Sequence, residues 1–290
     1  MNDDAMLLAV ETGGTKLLAR LVRGEEVLAE RRWDTTTPAE AEAVLLAFAG
    51  DVPIAAAGIA AFGPLVVDPD AANYGEVLAT PKPGWSGSNL RRALATRLAV
   101  PVAVDTDVNA AALAEATLGA GQGCANVAYV TVGTGIGAGL AMNGITLKGA
   151  MHPELGHVPV IRAPGDGLAS ACPFHADCVE GLAAGPAIAA RTGGAPLDSP
   201  GEAFGRVADY LGQLFATLVF AWSPNRIVAG GGVMSVPGLR AAAEARMRAA
   251  IGGYGVGPAA LADGFIVAPA LENAGLEGAL ILARAASKTG

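Results

Sequence analysis

A repeated pattern constrains this chain more than any other feature: an apolar run, a glycine-rich turn, and a second apolar run. The first copy is Leu7–Val10, Glu11-Thr-Gly-Gly-Thr-Lys16 and Leu17–Val22. The second is Val127–Val132, Gly133-Thr-Gly-Ile-Gly137 and Gly139–Met142. Short apolar runs bounded by turn signals read as buried strands. Two strand–turn–strand units far apart in one chain form a weak internal repeat. They predict two similar α/β lobes facing each other.

Neither turn is a P-loop, which needs G-x4-G-K-[ST] opening a helix. Neither is a Rossmann fingerprint, which also requires a helix after its glycines. Each remains either a tight hairpin or an anion nest built from consecutive backbone N–H groups. The nearby hydroxyls of Thr12, Thr15 and Thr134 favour phosphate.

All three histidines and two of the three cysteines fall within residues 152–178. His157, Cys172, His175 and Cys178 form a four-donor set of the ligand types and spacing that zinc takes. The competing reading is a pair of buried cysteines beside ordinary histidines. No basic n-region opens the chain, so a signal peptide is not expected and the thiols should stay reduced. That favours a metal over a Cys172–Cys178 disulfide. Glu154 and Glu180 flank the set, so a metal would fix two carboxylates. Cys124, in an apolar run, is expected in the core.

The 290 residues suffice for about two domains. A net charge of −8 without a basic patch argues against nucleic acid, whose binding rests on phosphate neutralisation. Mean hydropathy is +0.43, so a membrane span must be weighed. The uncharged stretch from Ala116 to Leu147 is broken by glycines and reads as buried strands around a turn rather than a span. A cytoplasmic protein is expected.

Further strands are expected at Ile54–Ile59, Pro101–Val104 and Ile227–Ala229. Asp105-Thr-Asp107-Val-Asn109 follows the second of these and leads into a helix, Ala110–Leu118, with Asn109 as its N-cap. Asp107 thus lies at a strand exit, where ligands gather in open α/β sheets. Its bland alternative is a capping or surface role. Ala203–Ala221 carries a helical apolar stripe of Phe204, Val207, Leu211, Leu214, Phe215 and Leu218. Gly230-Gly-Gly232-Val-Met234 precedes a helix from about Pro237, and Leu276–Ala286 reads as a further helix.

In order, these motifs resemble those of the ROK family of sugar kinases, nearest its zinc-containing bacterial fructokinase branch. The markers are Glu11–Lys16, Asp105–Leu113, Thr131–Gly139, His152–His157, Cys172–Gly181, Gly230–Met234 and Asn273–Gly275. Glu11, Thr106, His175 and Thr80-Pro-Lys-Pro-Gly-Trp85 match the fructokinase branch rather than the wider family. The first turn begins by residue 11, so no DNA-binding domain is expected ahead of it.

The resemblance implies a fold of two actin-like, RNase H-like α/β lobes with an active-site cleft between them. The expected division is residues 1–115 plus 272–290 against 116–271. It implies an ATP-dependent hexose kinase, with fructose the expected sugar. Mannose, glucose and N-acetylmannosamine are the alternatives, and a non-catalytic sugar-binding regulator is the competing class. Asp107 is the implied general base. Thr106, Glu154, His157 and Glu180 would contact the sugar. Gly13, Gly14, Thr15, Lys16, Gly133, Thr134 and Gly135 would hold phosphates, and Gly231 and Gly232 would lie by the adenosine. Glu11 or Asp105 would hold Mg²⁺ through water, a structural Zn²⁺ would sit on His157, Cys172, His175 and Cys178, and a homodimer is common in such proteins.

Overall fold

Strand formation here follows apolar runs that are buried on both faces. Met6–Thr12 (β1) is buried at every position. In a computed structural model, described for residues 5–198 and 200–288, it pairs antiparallel with Lys16–Arg23 (β2) and parallel with Ile54–Ala61 (β4). Glu26–Asp34 (β3) is largely exposed and charged, as suits an edge strand. Val102–Thr106 (β5) closes the other edge, giving the order β3-β2-β1-β4-β5.

Pro38–Ala49 (α1) starts from a full capping box, in which Thr37 and Glu40 satisfy each other's backbone N–H. Leu90–Leu98 (α2) starts from Asn89, whose side chain accepts from the Arg92 N–H. Asp107–Leu118 (α3) follows β5 without a loop.

A second five-stranded sheet is built from Asn126–Val132 (β6), Ile136–Met142 (β7), Ile145–Thr146 (β8), Arg226–Gly230 (β9) and Ile266–Val267 (β10). Its order is β10-β9-β6-β7-β8. Counted from the β8 edge, this repeats the first sheet. β6 pairs antiparallel with β7 and parallel with β9, as β1 does with β2 and β4. The helices of this region are Val179–Ala183 (α4), Gly185–Thr192 (α5), Glu202–Trp222 (α6) and Leu239–Ile251 (α7). The stripe expected on α6 is buried from Phe204 through Leu218.

The chain divides into two compact units. One comprises the chain up to Ala114, Thr146–His152 and the chain from Leu271 onward; the other comprises Glu115–Ile145 and Pro153–Ala270. Ala274–Ala286 (α8) therefore belongs with the first sheet. Its Leu276, Ala279, Leu280 and Ala283 form one core with Leu7, Ala9, Leu18 and Ala60. The approach is close enough that a Cβ at Gly58 of β4 would overlap the Ala279 carbonyl. Arg20 of β2 pins the helix through Glu277, at 2.5 Å.

Two sequence expectations need correction. Asn109 does not cap α3; the helix begins two residues earlier, and the Thr106 hydroxyl accepts the Asn109 N–H at 3.1 Å. Cys124 is only half-buried, because it lies in the turn leading to β6 rather than in a strand. No helix among the described residues is long and apolar enough to cross a membrane.

Candidate active site

Asp105 is the centre of the first unit's polar structure and is fully buried. Its Oδ1 accepts from the Thr106 N–H (2.8 Å) and the Asn109 amide (2.9 Å). Its Oδ2 accepts from the Thr146 hydroxyl (2.6 Å) and Lys148 Nζ (3.1 Å). Four donors saturate a carboxylate's acceptor capacity in practice. Buried charges are stable only when paired and hydrogen-bonded in this way.

The effect is to lock the β5–α3 corner on which Asp107 stands. Asp107 is the first residue of α3, half-buried, with Oδ1 on the Val108 N–H at 2.9 Å. Aligned peptide dipoles at a helix N-terminus favour an anionic side chain. Thr106, expected at the sugar, is 2 % exposed and its hydroxyl is the helix cap. Asn109, Thr146 and Lys148, which sequence reasoning gave no role at the site, hold the corner together.

The first glycine turn joins β1 to β2. Its Gly13 N–H is already used, donating to Lys16 O at 2.8 Å. The N–H groups of Gly14 and Thr15 donate to nothing among the described residues. A side chain at Gly14 would meet nothing within 4 Å, so the backbone is open there. Thr35 backs the turn by donating its hydroxyl to Gly13 O and its N–H to Thr15 O. Lys16 Nζ is engaged by Glu11 Oε1 at 3.1 Å. Glu11 Oε2 and Thr12 Oγ1 are buried without a hydrogen-bond partner.

The second turn joins β6 to β7. Gly133 N–H donates back to Gly135 O at 2.9 Å, leaving the Thr134 and Gly135 N–H groups without an acceptor among the described residues. Three outside groups grip it. Glu180 Oε2 of α4 accepts the Ile136 N–H at 2.8 Å. Gly185 donates its N–H to Gly133 O at 2.7 Å. Gly156 lies so close that any Cβ would overlap the Ile136 carbonyl, so only glycine fits. Gly231, expected at the adenosine, packs on the end of β6 with φ +90°, and its Cβ would overlap the Val132 carbonyl. Gly232 beside it is open.

His157, Cys172, His175 and Cys178 come together as the sequence spacing predicts. Their ligand atoms all lie within 4.8 Å of one another. Cys172 Sγ is 3.8 Å from His157 Nδ1 and 3.6 Å from His175 Nδ1. Tetrahedral zinc with Zn–S about 2.3 Å and Zn–N about 2.0–2.1 Å puts S and N about 3.6 Å apart, so the donors fit the ion. Burial pushes the Cys178 thiol up to about 11, with the neighbouring Cys172 adding to the shift. A bound cation reverses that cost.

His157 ends the one-turn 3₁₀ segment Leu155–His157 that follows Glu154, and Cys178 caps α4, which carries Glu180. These four side chains thus sit next to the groups that grip the second turn. His152 stands apart from this cluster: it is buried, with Nε2 accepting the Leu65 N–H at 3.1 Å. The loop between His157 and Cys172 is braced by buried Asp166. Hydrogen bonds from Arg191 (2.9 and 2.7 Å) and Tyr210 (2.5 Å) hold that carboxyl well below the usual range, against the opposing effect of burial.

With this geometry in hand, the comparisons with known proteins agree. The model of the ROK family matches residues 7–286, and the chain belongs to that family. A fructokinase of Pediococcus pentosaceus is 37 % identical over 98 % of this chain and 99 % of its own. A fructokinase of Zymomonas mobilis is 39 % identical, over 98 % of each. Among solved structures, a ROK hexokinase from Thermus thermophilus superposes with a TM-score of 0.78 at 30 % identity, covering 98 % of this chain and all of that one. A ROK glucokinase from Streptomyces griseus, in complex with glucose and AMPPNP, gives 0.74 at 28 %, covering 97 % and 100 %. The fold is thus the actin-like α/β class that the motifs imply.

Proposed function

We propose that this protein is a fructokinase that moves the γ-phosphoryl group of ATP to D-fructose, giving fructose 6-phosphate. The observation that supports this best is full-length similarity to two fructokinases in a chain whose Asp107 stands on a locked helix N-terminus.

In this reading Asp107 accepts the proton of the attacking sugar hydroxyl, a role typically worth about 10²–10⁴-fold. Positioning and charge stabilisation supply most of the remainder. The N–H groups of Gly14, Thr15, Thr134 and Gly135 are the donors available to phosphate oxygens. Those of Gly13 and Gly133, also expected to cradle phosphate, are committed to their own turns. Mg²⁺, when bound with ATP, screens the phosphate charge. Glu11 supplies the fitting oxygen, buried and unpartnered; Asp105, the other expected carboxylate, is saturated. Glu154, His157 and Glu180 remain the sugar-side groups, with Oε1 of Glu180 left for a hydroxyl once Oε2 has taken the Ile136 N–H. His157, Cys172, His175 and Cys178 would hold Zn²⁺ with a closed, structural ligand set.

The test is a coupled ADP-release assay with Mg·ATP and a panel of fructose, mannose, glucose and N-acetylmannosamine. Turnover strongest on fructose, falling at least about 10²-fold in Asp107→Asn, is expected. The ROK hexokinase and glucokinase structures favour glucose as the second candidate, and turnover strongest there would keep the mechanism and change the substrate. Absence of turnover on every sugar in zinc-replete protein would overturn the kinase reading in favour of a sugar-binding regulator.

A further inference from the structure

In the kinase reading the first glycine turn would face a nucleotide's phosphates, and Lys16, the cation within the turn, already spends its charge on Glu11. A second ammonium stands at the same turn. Lys82 Nζ donates to the Gly14 carbonyl, in the part of the turn whose backbone is open. It lies 5.3 Å from the centre of the Phe62 ring. No carboxylate among the described residues pairs with it.

The segment that carries Lys82 is held in place. Prolines flank it at 81 and 83, restricting the backbone. Trp85, 1 % exposed, anchors the segment by packing edge-on against Phe62 and donating Nε1–H to Thr36 O at 2.7 Å. Ser86 closes the loop onto Thr80, with 3.1 Å bonds in both directions. A long, flexible ammonium side chain is thereby delivered from a fixed base to one place. Partial burial lowers the pKa of Lys82 from its ordinary value, a cost that an arriving anion would offset.

We propose that Lys82 exchanges the Gly14 carbonyl for the terminal phosphate of ATP and supplies the positive charge at the first glycine turn, while Lys16 only positions Glu11. This rests on the kinase reading above. The Gly14 carbonyl is a neutral acceptor, and a phosphate oxygen makes a stronger, charge-assisted bond. The lysine therefore waits on the weaker partner. Because the group it meets is the one transferred, it should distinguish ATP from ADP.

The experiment measures Mg·ATP and Mg·ADP affinity by calorimetry in wild type, Lys82→Met, Lys82→Arg and Lys16→Met, alongside kcat and both KM values. Lys82→Met should lose about tenfold or more in ATP affinity, as removal of a charge-assisted bond predicts, and less than about twofold in ADP affinity. Lys82→Arg should recover most of the loss, and fructose KM should stay put. Equal losses for ATP and ADP would make Lys82 a brace for the turn and overturn the proposal, as would an unchanged ATP affinity. A larger ATP-specific loss in Lys16→Met would hand the role to Lys16. If wild type turns over sugar while Lys82→Met is unimpaired, only the Lys82 assignment falls. If wild type binds neither nucleotide, the kinase reading falls and takes this inference with it.

Discussion

In the first unit four donors close on the Asp105 carboxylate; in the second, four ligand atoms gather within 4.8 Å around a centre that suits a cation. Each hub fixes the residues next to it. Asp105 fixes the corner bearing Asp107, and the His/Cys cluster fixes the segments bearing Gly156 and Glu180. The polarities are opposite, and so is the supply of charge. Asp105 is covalently part of the chain, whereas the Zn²⁺ proposed for the second hub would have to be captured from solution. The first glycine turn is backed by Thr35, a group of the chain itself, whereas in the proposed reading the segments that grip the second turn would be held only as well as a Zn²⁺ is retained.

Metal removal should show this asymmetry most strongly. A zinc chelator should raise amide hydrogen exchange at Gly133 and Ile136, the two hydrogen-bonded amides of the turn, by about tenfold or more, the factor that a loss of about 1.4 kcal/mol gives, and should abolish turnover. Exchange at Gly13–Lys16 should not move. If both turns loosen together, or neither does, the comparison is wrong.

The other hub is tested by Asp105→Ala, which leaves Lys148, Thr146 and Asn109 facing a hole. Breaking a buried charged network by removing one partner costs about 3–5 kcal/mol. Denaturant unfolding would read this, and a loss below about 1 kcal/mol would mean that the corner is held by other means. Glu180→Gln is gentler. It can still accept the Ile136 N–H but without charge, so about 1–2 kcal/mol of the grip should go, measured as a rise in ATP KM with zinc content unchanged. An unchanged ATP KM would limit Glu180 to the sugar. Smallest is the effect of Lys16→Met on stability, below about 1 kcal/mol because the pair with Glu11 is partly solvated.

The His/Cys cluster was legible because its residue types are rare and its spacing is local, and the turns because their glycines fall between two apolar runs. Cys172, His175 and Cys178 are separated by two residues each, so little chain has to be folded to join them. The Asp105 hub was not legible in the same way. Its Thr146 and Lys148 come from some forty residues downstream, at the end of a run without charge, and only the fold brings them near. Asn109 was misread as the cap because the helix-forming composition begins after it, whereas the capping hydroxyl belongs to Thr106. The edge strand β3 escaped notice because its sequence, Glu-Val-Leu-Ala-Glu-Arg-Arg-Trp-Asp, is charged on both sides and lacks the alternation that marks a half-buried strand. α1 did carry a signal, Thr37-Pro-x-Glu40, which is a capping box with proline at the first helical position.

The position of α8 has a consequence for how the protein is made. The helix that covers Leu7, Ala9 and Leu18 is translated after every residue of the second unit. On the ribosome, the first sheet thus waits with one apolar face open while the second unit is synthesised and can finish folding. At about 5–20 residues per second, that wait lasts many seconds. The segment synthesised first is completed last, and the packing of Gly58 against Ala279 and Ala283 is among the closing events of its folding.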